Sequence, residues 1–199
     1  MKHKKVEKQL VLVLGGARSG KSSCAESLAG QGGKTLFVAT AEARDDDMKQ
    51  RITRHRARRP AAWDTLEEPL DPVAAIPSAL VDHDTLLLDC VTVWVSNLLL
   101  ALGDENDAEA EILARAEALL DLYEQTDMRW ILVSNEVGLG VVPATELGRS
   151  YRDLLGRVNQ LFAARADKTY LMVAGLALEL KSAGAQPHFD LSQESGEES

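Results

Sequence analysis

The sequence predicts an α/β fold, with a mostly parallel sheet and helices on both of its faces. Short apolar runs rich in Val and Leu alternate with segments of helical periodicity along most of the 199 residues. Several of these runs are apolar almost throughout, as strands covered on both faces require. The first run leads directly into the pattern G-x-x-x-x-G-K-S, which is followed by a helical pattern. These three observations together define the predicted fold class.

The individual elements follow from the same periodicity. Strands are predicted at the apolar runs, residues 10–14, 35–40, 85–89, 130–134 and 169–174. Helices are predicted where apolar residues recur every three or four positions, at residues 21–29, 45–58, 93–102, 108–123 and 145–166. Loops containing Gly or Pro are expected at residues 60–77, 103–107 and 138–143. One catalytic domain therefore covers residues 1–181, and the polar, acidic segment 182–199 is expected to be disordered.

The segment between the first strand and the first helix has the composition of a phosphate-binding loop. Glycines let the backbone curl around phosphate oxygens, and the helix N-terminus presents amide groups to the anion. Lys21 is expected to reach the β- and γ-phosphates, and the hydroxyl of Ser22 is expected to bind Mg²⁺. The predicted nucleotide contacts here are Gly15, Gly16, Ala17, Arg18, Ser19, Gly20, Lys21 and Ser22. A glycine-rich turn that only joins strand to helix is the alternative.

Composition narrows the classes of partner and location. The net charge of −9 argues against a general nucleic-acid-binding surface. No apolar stretch approaches the ~18 residues of a membrane span, and no secretory signal is visible. The two cysteines, Cys24 and Cys90, have no metal-ligand spacing, and small buried thiols are the expected interpretation. We therefore expect a cytoplasmic protein with reduced cysteines.

In open α/β sheets the ligand site lies beyond the carboxyl ends of the strands. Asp89 ends one predicted strand, where an acidic residue in a phosphate-loop protein commonly holds Mg²⁺. The alternative is a carboxylate that caps the following helix. The segment Asn135-Glu136-Val137-Gly138-Leu139-Gly140 leaves another strand end and fits a mobile substrate contact or lid. A simple connection fits that segment almost as well.

Five arginines lie within nine positions, Arg51-Ile52-Thr53-Arg54-His55-Arg56-Ala57-Arg58-Arg59, in an otherwise acidic chain. On a helix, His55 shares the apolar stripe of Met48 and Ile52. Neighbouring guanidinium groups disfavour the imidazolium form and would neutralise an attached phosphate, which suits a nucleophilic histidine. Residue chemistry alone nevertheless favours an inward-packed histidine on a solvated basic helix. A nucleic-acid patch is a second alternative.

Taken together, these segments resemble the bifunctional adenosylcobinamide kinase/adenosylcobinamide-phosphate guanylyltransferases of cobalamin biosynthesis. The resemblance extends from about residue 10 to residue 181. The basic segment and the Asn-Glu-Val-Gly loop are much more specific than the phosphate loop. The matching pieces are Gly15-Gly16-Ala17-Arg18-Ser19-Gly20-Lys21-Ser22, Val38-Ala39-Thr40-Ala41, Arg51-Ile52-x-x-His55-Arg56-x-x-Arg59-Pro60, Trp63-x-Thr65-x-Glu67, Leu87-Leu88-Asp89-Cys90-Val91-Thr92, Asn97-Leu98-Leu99, Ser134-Asn135-Glu136-Val137-Gly138-x-Gly140-x-Val142-Pro143, Gly156-Arg157-Val158-Asn159-Gln160 and Val173-Ala174-Gly175.

The resemblance implies a P-loop NTPase with a RecA-like fold, a homotrimer, and two reactions. In the first, ATP or GTP phosphorylates the aminopropanol hydroxyl of adenosylcobinamide, a corrinoid. In the second, GTP donates GMP through a covalent histidine intermediate, giving adenosylcobinamide-GDP. His55 matches the guanylylated histidine, although some members carry two adjacent histidines where this chain has Arg54-His55.

The resemblance also implies the residues around the guanine nucleotide: Ala39, Thr40, Ala41, Arg56, Ala57, Arg58, Arg59, Glu67 and Asp89. The carboxylate of Glu67 has the chemistry to accept hydrogen bonds from the guanine N1–H and N2 amine. Two other functions remain open at this point. A kinase for another small molecule would need the phosphate loop and Asp89 but not His55. A RecA-like ATPase acting on nucleic acid or a partner is disfavoured by the short, acidic chain.

Overall fold

The computed structural model describes residues 6–42, 53, 56, 59–103 and 107–187. Its strands form one seven-stranded sheet in the order β3-β2-β4-β5-β1-β6-β7. All neighbouring strands run parallel except β6 and β7, which are antiparallel. The strands are β1 (Gln9–Gly15), β2 (Thr35–Ala39), β3 (Asp64–Glu67), β4 (Thr85–Asp89), β5 (Arg129–Val133), β6 (Lys168–Val173) and β7 (Leu176–Glu179).

Helices cover both faces of this sheet, which confirms the predicted α/β class. The described helices are α1 (Lys21–Ala29), α2 (Pro72–Ala79), α3 (Val91–Leu102), α4 (Ala108–Glu124) and α5 (Glu146–Arg165). Alternation along β1 divides the core, since Leu10, Leu12 and Leu14 pack with α2–α5. Val11 and Val13 face the opposite side and pack with α1. β5 lies between β1 and β4, in agreement with the RecA-like arrangement that the resemblance implies.

Two short elements begin within the predicted 60–77 loop, and the second ends beyond it at Ala79. β3 is a four-residue edge strand with mostly exposed side chains, so it lacks the apolar run that identifies a buried strand. α2 begins at Pro72 with Asp71 as its N-cap, whose Oδ1 accepts the amide of Ala74 at 3.1 Å. Proline is favourable at the first helical position, so it marks a helix start here and not a break. The loop prediction is therefore wrong over residues 64–67 and from residue 72 to its end.

The end of the sheet also differs from the prediction. A single strand was expected at residues 169–174, whereas the chain turns at Ala174 and Gly175 and returns as β7. The beginning of the predicted tail continues from β7 in hydrogen-bonded turns, with the amide of Ala185 donating to the Leu180 carbonyl at 2.9 Å. Of the predicted 45–58 helix, only Thr53 and Arg56 are among the described residues, and both are helical.

Candidate functional site

The phosphate loop lies at the carboxyl end of β1. Gly15 has φ +151°, and a Cβ there would lie 2.5 Å from the carbonyl oxygen of Met172, so β6 leaves room only for glycine. Gly20 has φ +98° and forms the N-cap of α1, a left-handed conformation that favours glycine. The amide of Gly175 donates to the Ser19 carbonyl at 3.1 Å, which ties the loop to the β6–β7 turn. Contacts with β6 and with the β6–β7 turn therefore fix the shape of the loop.

Lys21 begins α1 and folds back over this loop. Its Nζ donates to the carbonyl oxygen of Gly16 at 2.7 Å, and the residue is only 9% exposed. Within the described chain, the buried hydroxyl of Ser19 has no hydrogen-bond partner. A bound phosphate would offer acceptor oxygens to both groups. The loop thus holds a cation and an unsatisfied hydroxyl where the sequence predicts the triphosphate.

Asp89 ends β4, aligned with Ala39 of β2 and Val133 of β5. It is half-buried, and a cis peptide bond joins it to Cys90. Cys90, and not Asp89, is the N-cap of α3, and that helix has no side-chain hydrogen bond at its cap. The structure therefore does not give Asp89 the alternative role of helix cap.

The donor set suits Mg²⁺, because the Ser22 hydroxyl and the Asp89 carboxylate are hard oxygen ligands and nucleotide phosphates would complete the shell. Among the described residues there is no cluster of three His, Cys, Asp or Glu side chains that would hold a metal without the nucleotide. The residues present thus fit a metal that arrives with the triphosphate.

Thr40 joins the ends of β2 and β4. Its hydroxyl donates to the Cys90 carbonyl at 2.8 Å and accepts the Cys90 amide at 2.9 Å, and the residue is fully buried. The side-chain Nδ2 of Asn97 donates to the carbonyls of Thr40 at 2.9 Å and Pro69 at 3.1 Å. The amide of Thr40 donates to the Asp89 carbonyl at 3.5 Å, so the side chain and the main chain of this buried residue both hold the strand ends together.

The basic segment and β3 form a second cluster at the edge of the sheet. Arg56 makes an exposed ion pair with Glu67. The guanidinium of Arg59 lies over the ring of Phe37, 3.6 Å from its centroid, and donates to the Thr65 hydroxyl at 3.4 Å. Burial lowers the pKa of Arg59, while Asp89 opposes that shift. Two arginines and a carboxylate expected at the guanine nucleotide therefore lie together.

These residues line a cavity of about 330 Å³. Its lining consists of Arg56, Arg59, Pro60, Ala61, Trp63, Thr65 and Glu67. The other residues predicted for this part of the site, His55, Ala57 and Arg58, lie outside the described residues, as does Arg51. Ala39 ends β2 and is hydrogen-bonded through its carbonyl to the amide of Glu68 at 2.9 Å; Ala41 follows two residues later. The cavity therefore brings together three of the predicted guanine-nucleotide residues, Arg56, Arg59 and Glu67.

Sequence reasoning missed a polar network behind β5. The amide of Asn135 donates to the Thr92 hydroxyl at 2.6 Å, and the Tyr151 hydroxyl donates to the Thr92 carbonyl at 3.0 Å. Burial raises the pKa of Tyr151, so its hydroxyl remains a donor. Asn159 of α5 donates to the Asn135 carbonyl at 3.0 Å. These bonds fix the position from which the segment 135–140 leaves the sheet.

A glycine-bearing loop between a buried parallel strand and a helix, with a lysine folded over it, defines a nucleotide-binding protein of the P-loop class. The chain belongs to the CobU family, described as cobinamide kinase/cobinamide phosphate guanyltransferase, whose family model matches residues 11–180. Members of that family are bifunctional enzymes, and this chain is accordingly a kinase and a guanylyltransferase.

Three curated relatives are similar over nearly their whole length. The bifunctional adenosylcobalamin biosynthesis protein CobP of Pseudomonas aeruginosa is 48% identical over 171 residues, 85% of this chain and 96% of that protein. The bifunctional adenosylcobalamin biosynthesis protein CobU of Salmonella typhimurium is 43% identical over 182 residues, which are 86% of this chain and 99% of that protein. The CobU protein of Escherichia coli is 39% identical over 180 residues, which are 86% of this chain and 99% of that protein.

Among the described residues, no helix combines the length and the apolar composition that a membrane span requires.

Proposed function

We propose that this enzyme phosphorylates the aminopropanol hydroxyl of adenosylcobinamide with ATP or GTP and then transfers GMP from GTP to the new phosphate. The observation that carries this proposal is the pairing of two sites on one sheet edge. A phosphate loop with a buried Lys21 lies at β1, and the cluster of Arg56, Arg59 and Glu67 lies at β3. Family membership supports both transferase activities.

The kinase step depends on positioning and charge. The loop amides and the Lys21 ammonium hold the β- and γ-phosphates, so that the acceptor hydroxyl attacks the γ-phosphorus and the bond to the β-phosphate oxygen breaks. Ser22 and Asp89 are the residues that would hold Mg²⁺. That ion would neutralise charge on the transferring phosphoryl group.

The guanylyl step needs a side-chain nucleophile. In the proposed mechanism a ring nitrogen of His55 attacks the α-phosphorus of GTP, and the bond to the β-phosphate breaks to release pyrophosphate. An oxygen of the corrinoid phosphate then attacks the same phosphorus and frees the histidine. Arg56 and Arg59 lie within four residues of His55 in sequence and offer guanidinium groups to the α-phosphate. Glu67 accepts the guanine N–H groups once its pair with Arg56 opens.

The location and assembly complete the proposal. Nucleoside triphosphates are cytoplasmic substrates, and we place the enzyme in the cytoplasm with a corrinoid as its partner and no nucleic acid. The resemblance implies a homotrimer, and exposed apolar side chains at Leu139, Val141 and Leu176 support contact between copies. Light scattering of the purified protein tests this part: a monomer at working concentration contradicts it.

The decisive experiment uses GTP labelled at the α-phosphate. Incubation and denaturing electrophoresis should leave label on the protein, and peptide mapping should locate it at His55. The adduct should be labile in acid and stable in base, as a phosphorus–nitrogen bond is. His55→Ala should abolish labelling and pyrophosphate release while phosphorylation of adenosylcobinamide continues. His188→Ala, a histidine in the predicted tail, is the matched control and should label normally.

Two results would contradict this mechanism. Label on any residue other than His55 removes the assigned nucleophile, whatever the activity of the variant. Phosphorylation of adenosylcobinamide without any covalent label would leave the kinase step and refute the histidine intermediate.

A further inference from the structure

A second cavity, of about 500 Å³, lies on the face of the sheet that α5 covers. Its walls come from the end of β1, the loop that follows β5, and one side of α5. The lining residues are Leu14, Glu136, Gly138, Arg152, Asp153, Gly156, Arg157, Asn159, Gln160 and Ala163. All of them belong to the described part of the chain, and none belongs to the cavity beside Glu67.

This second cavity lies next to the phosphate loop. Leu14, which immediately precedes the loop, forms part of its wall. Glu136, another wall residue, donates its amide to the Gly15 carbonyl at 3.2 Å. A molecule in the cavity would therefore lie beside the beginning of the phosphate loop. The acceptor of a kinase must occupy such a position, because its hydroxyl has to reach the γ-phosphorus.

The two arginines of this wall are paired within the protein, and the Glu136 carboxylate accepts the amide of Gly138 at 2.9 Å. Arg152 binds the carboxylate of Asp153 at 2.8 Å, and Arg157 pairs with Glu109 of α4. No aromatic ring occurs among the lining residues, so the cavity has no stacking surface for a purine. Paired arginines and an absent stacking surface disfavour a nucleotide. The amide side chains of Asn159 and Gln160 instead suit a neutral ligand with amide and hydroxyl groups.

Asn159 supplies the most specific requirement. The residue is 4% exposed, and its Nδ2 donates to the Asn135 carbonyl at 3.0 Å. Its Oδ1 is buried without a hydrogen-bond partner among the described residues. A buried acceptor without a partner destabilises the free protein, and a ligand N–H or O–H would satisfy it. The bound molecule should therefore carry a hydrogen-bond donor.

We propose that this cavity is the corrinoid subsite, and that it takes the aminopropanol arm of adenosylcobinamide with the carboxamide side chains beside it. This inference rests on the proposed kinase reaction. Carboxamide groups donate to Asn159 and exchange hydrogen bonds with Gln160, and the arm directs its hydroxyl past Glu136 towards the phosphate loop. Cobinamide is much larger than 500 Å³, so one edge of the macrocycle enters and the remainder lies outside.

Gly156 allows a direct test. It lies in α5 and lines the cavity, and a Cβ added there would meet nothing within 4 Å, so we expect a larger side chain to project into the cavity. Gly156→Leu should raise the KM for adenosylcobinamide in the kinase reaction at least tenfold. The KM for ATP and the rate of covalent GMP attachment, neither of which needs the corrinoid, should stay within twofold of wild type. Gly156→Ala, which adds a single methyl group, is the matched control.

Equilibrium dialysis of adenosylcobinamide, without nucleotide, gives a readout that does not depend on turnover. Weaker corrinoid binding by Gly156→Leu supports the subsite even if the kinase reaction itself is not observed, and in that case only the proposed function fails. Unchanged corrinoid binding and KM in a folded Gly156→Leu protein overturn the subsite. A raised KM for ATP in place of the corrinoid overturns it too, and identifies a nucleoside pocket.

A second variant covers the case in which Gly156→Leu does not fold. Gln160 is exposed and lines the cavity. Gln160→Ala removes an amide without adding volume, and should weaken corrinoid binding about threefold or more. Wild-type affinity in Gln160→Ala, together with an unfolded Gly156→Leu, would overturn the assignment.

Discussion

The phosphate loop and the cluster around Glu67 both lie at the carboxyl ends of the strands, but they are built in different ways. β1 and β3 are four strand spacings apart, about 19 Å at the usual spacing. At the phosphate loop, Lys21 and Ser19 are nine-tenths buried or nearly so, and neighbouring backbone fixes the loop. At the edge strand, the side chains of Arg56 and Glu67 are each more than half exposed.

This difference teaches how each site meets its ligand. A buried, hydrogen-bonded loop is preorganised, so charge that develops during phosphoryl transfer meets fixed dipoles. An exposed ion pair contributes only about 0–1 kcal/mol, so guanine can displace Arg56 from Glu67 at little cost. Under the proposed assignment, the phosphate loop is complete before substrate binds, whereas the guanine contacts would form by exchange of partners.

The largest expected effect breaks the preorganised side of this comparison. Lys21→Ala should lower the kinase rate by about 10²–10³-fold, because the transferring phosphoryl group loses a fixed cation. Steady-state phosphorylation of adenosylcobinamide measures this effect.

Lys34→Ala is the matched control for Lys21→Ala. Lys34 directly precedes β2, at the amino ends of the strands, where its Nζ pairs with Asp64 at 2.8 Å. The Lys34→Ala enzyme should therefore phosphorylate adenosylcobinamide normally. Near-normal turnover by Lys21→Ala would refute the role of the loop.

The sequence predicted the phosphate-loop half well, for a physical reason. α1 and β4 have the predicted bounds, because a buried apolar strand and a glycine-bounded helix start leave strong local patterns. In the edge-strand half, the guanine-nucleotide residues were expected from the resemblance alone, and β3 itself was predicted to be loop. β3 is too short and too polar to be recognised as a strand, and its pairing with β2 depends on residues far away in sequence.

The interior polar network was also beyond sequence reasoning. The bond from Asn97 to Thr40 joins residues 57 positions apart, and the bond from Asn159 to Asn135 crosses from α5 to the loop after β5. Side-chain bonds to distant carbonyls leave no periodic signal in the sequence. For the same reason, no pattern indicated that α5 would line a cavity beside the phosphate loop.

A smaller effect should sharpen the exchangeable side of the comparison. Glu67→Gln removes the charged acceptor of the guanine N–H groups, and should raise the KM for GTP in covalent GMP attachment about tenfold. The preference for GTP over ITP, which lacks the N2 amine, should fall with it. Thermal stability should change little, because the Arg56 pair is exposed.

The control for Glu67→Gln is another exposed ion pair. Glu111→Gln breaks a pair with Arg115 on α4, at 2.7 Å, without touching either site. It should leave GTP use unchanged. A Glu67→Gln enzyme with the wild-type preference for GTP over ITP would show that Glu67 does not read the guanine edge.

The smallest expected effect concerns the support of the preorganised half. The β6–β7 turn presses Gly175 against the phosphate loop, and Glu179 at the end of β7 accepts the amides of Thr169, Lys181 and Ser182. A hydrogen bond from the Ser182 side chain, together with these three amides, lowers the pKa of Glu179 to about 2. A depressed carboxyl pKa stabilises the fold above the unfolded value of about 4.5, and the stabilisation is lost as the pH falls towards 2.

Glu179→Gln should therefore lower the melting temperature by about 2 °C at pH 7, and the gap to wild type should narrow between pH 6 and pH 3. Differential scanning calorimetry across that range measures the effect, and kinase turnover should remain near normal, because the carboxylate supports the turn without touching the nucleotide. Glu117→Gln, an exposed carboxylate on α4, should show no such narrowing. A gap that stays constant with pH would mean that the Glu179 carboxylate gains no stabilisation from its amide partners. The rigidity of the phosphate loop would then come from the packing of Gly15 against β6 and from the bond between the Gly175 amide and the Ser19 carbonyl, without a contribution from Glu179.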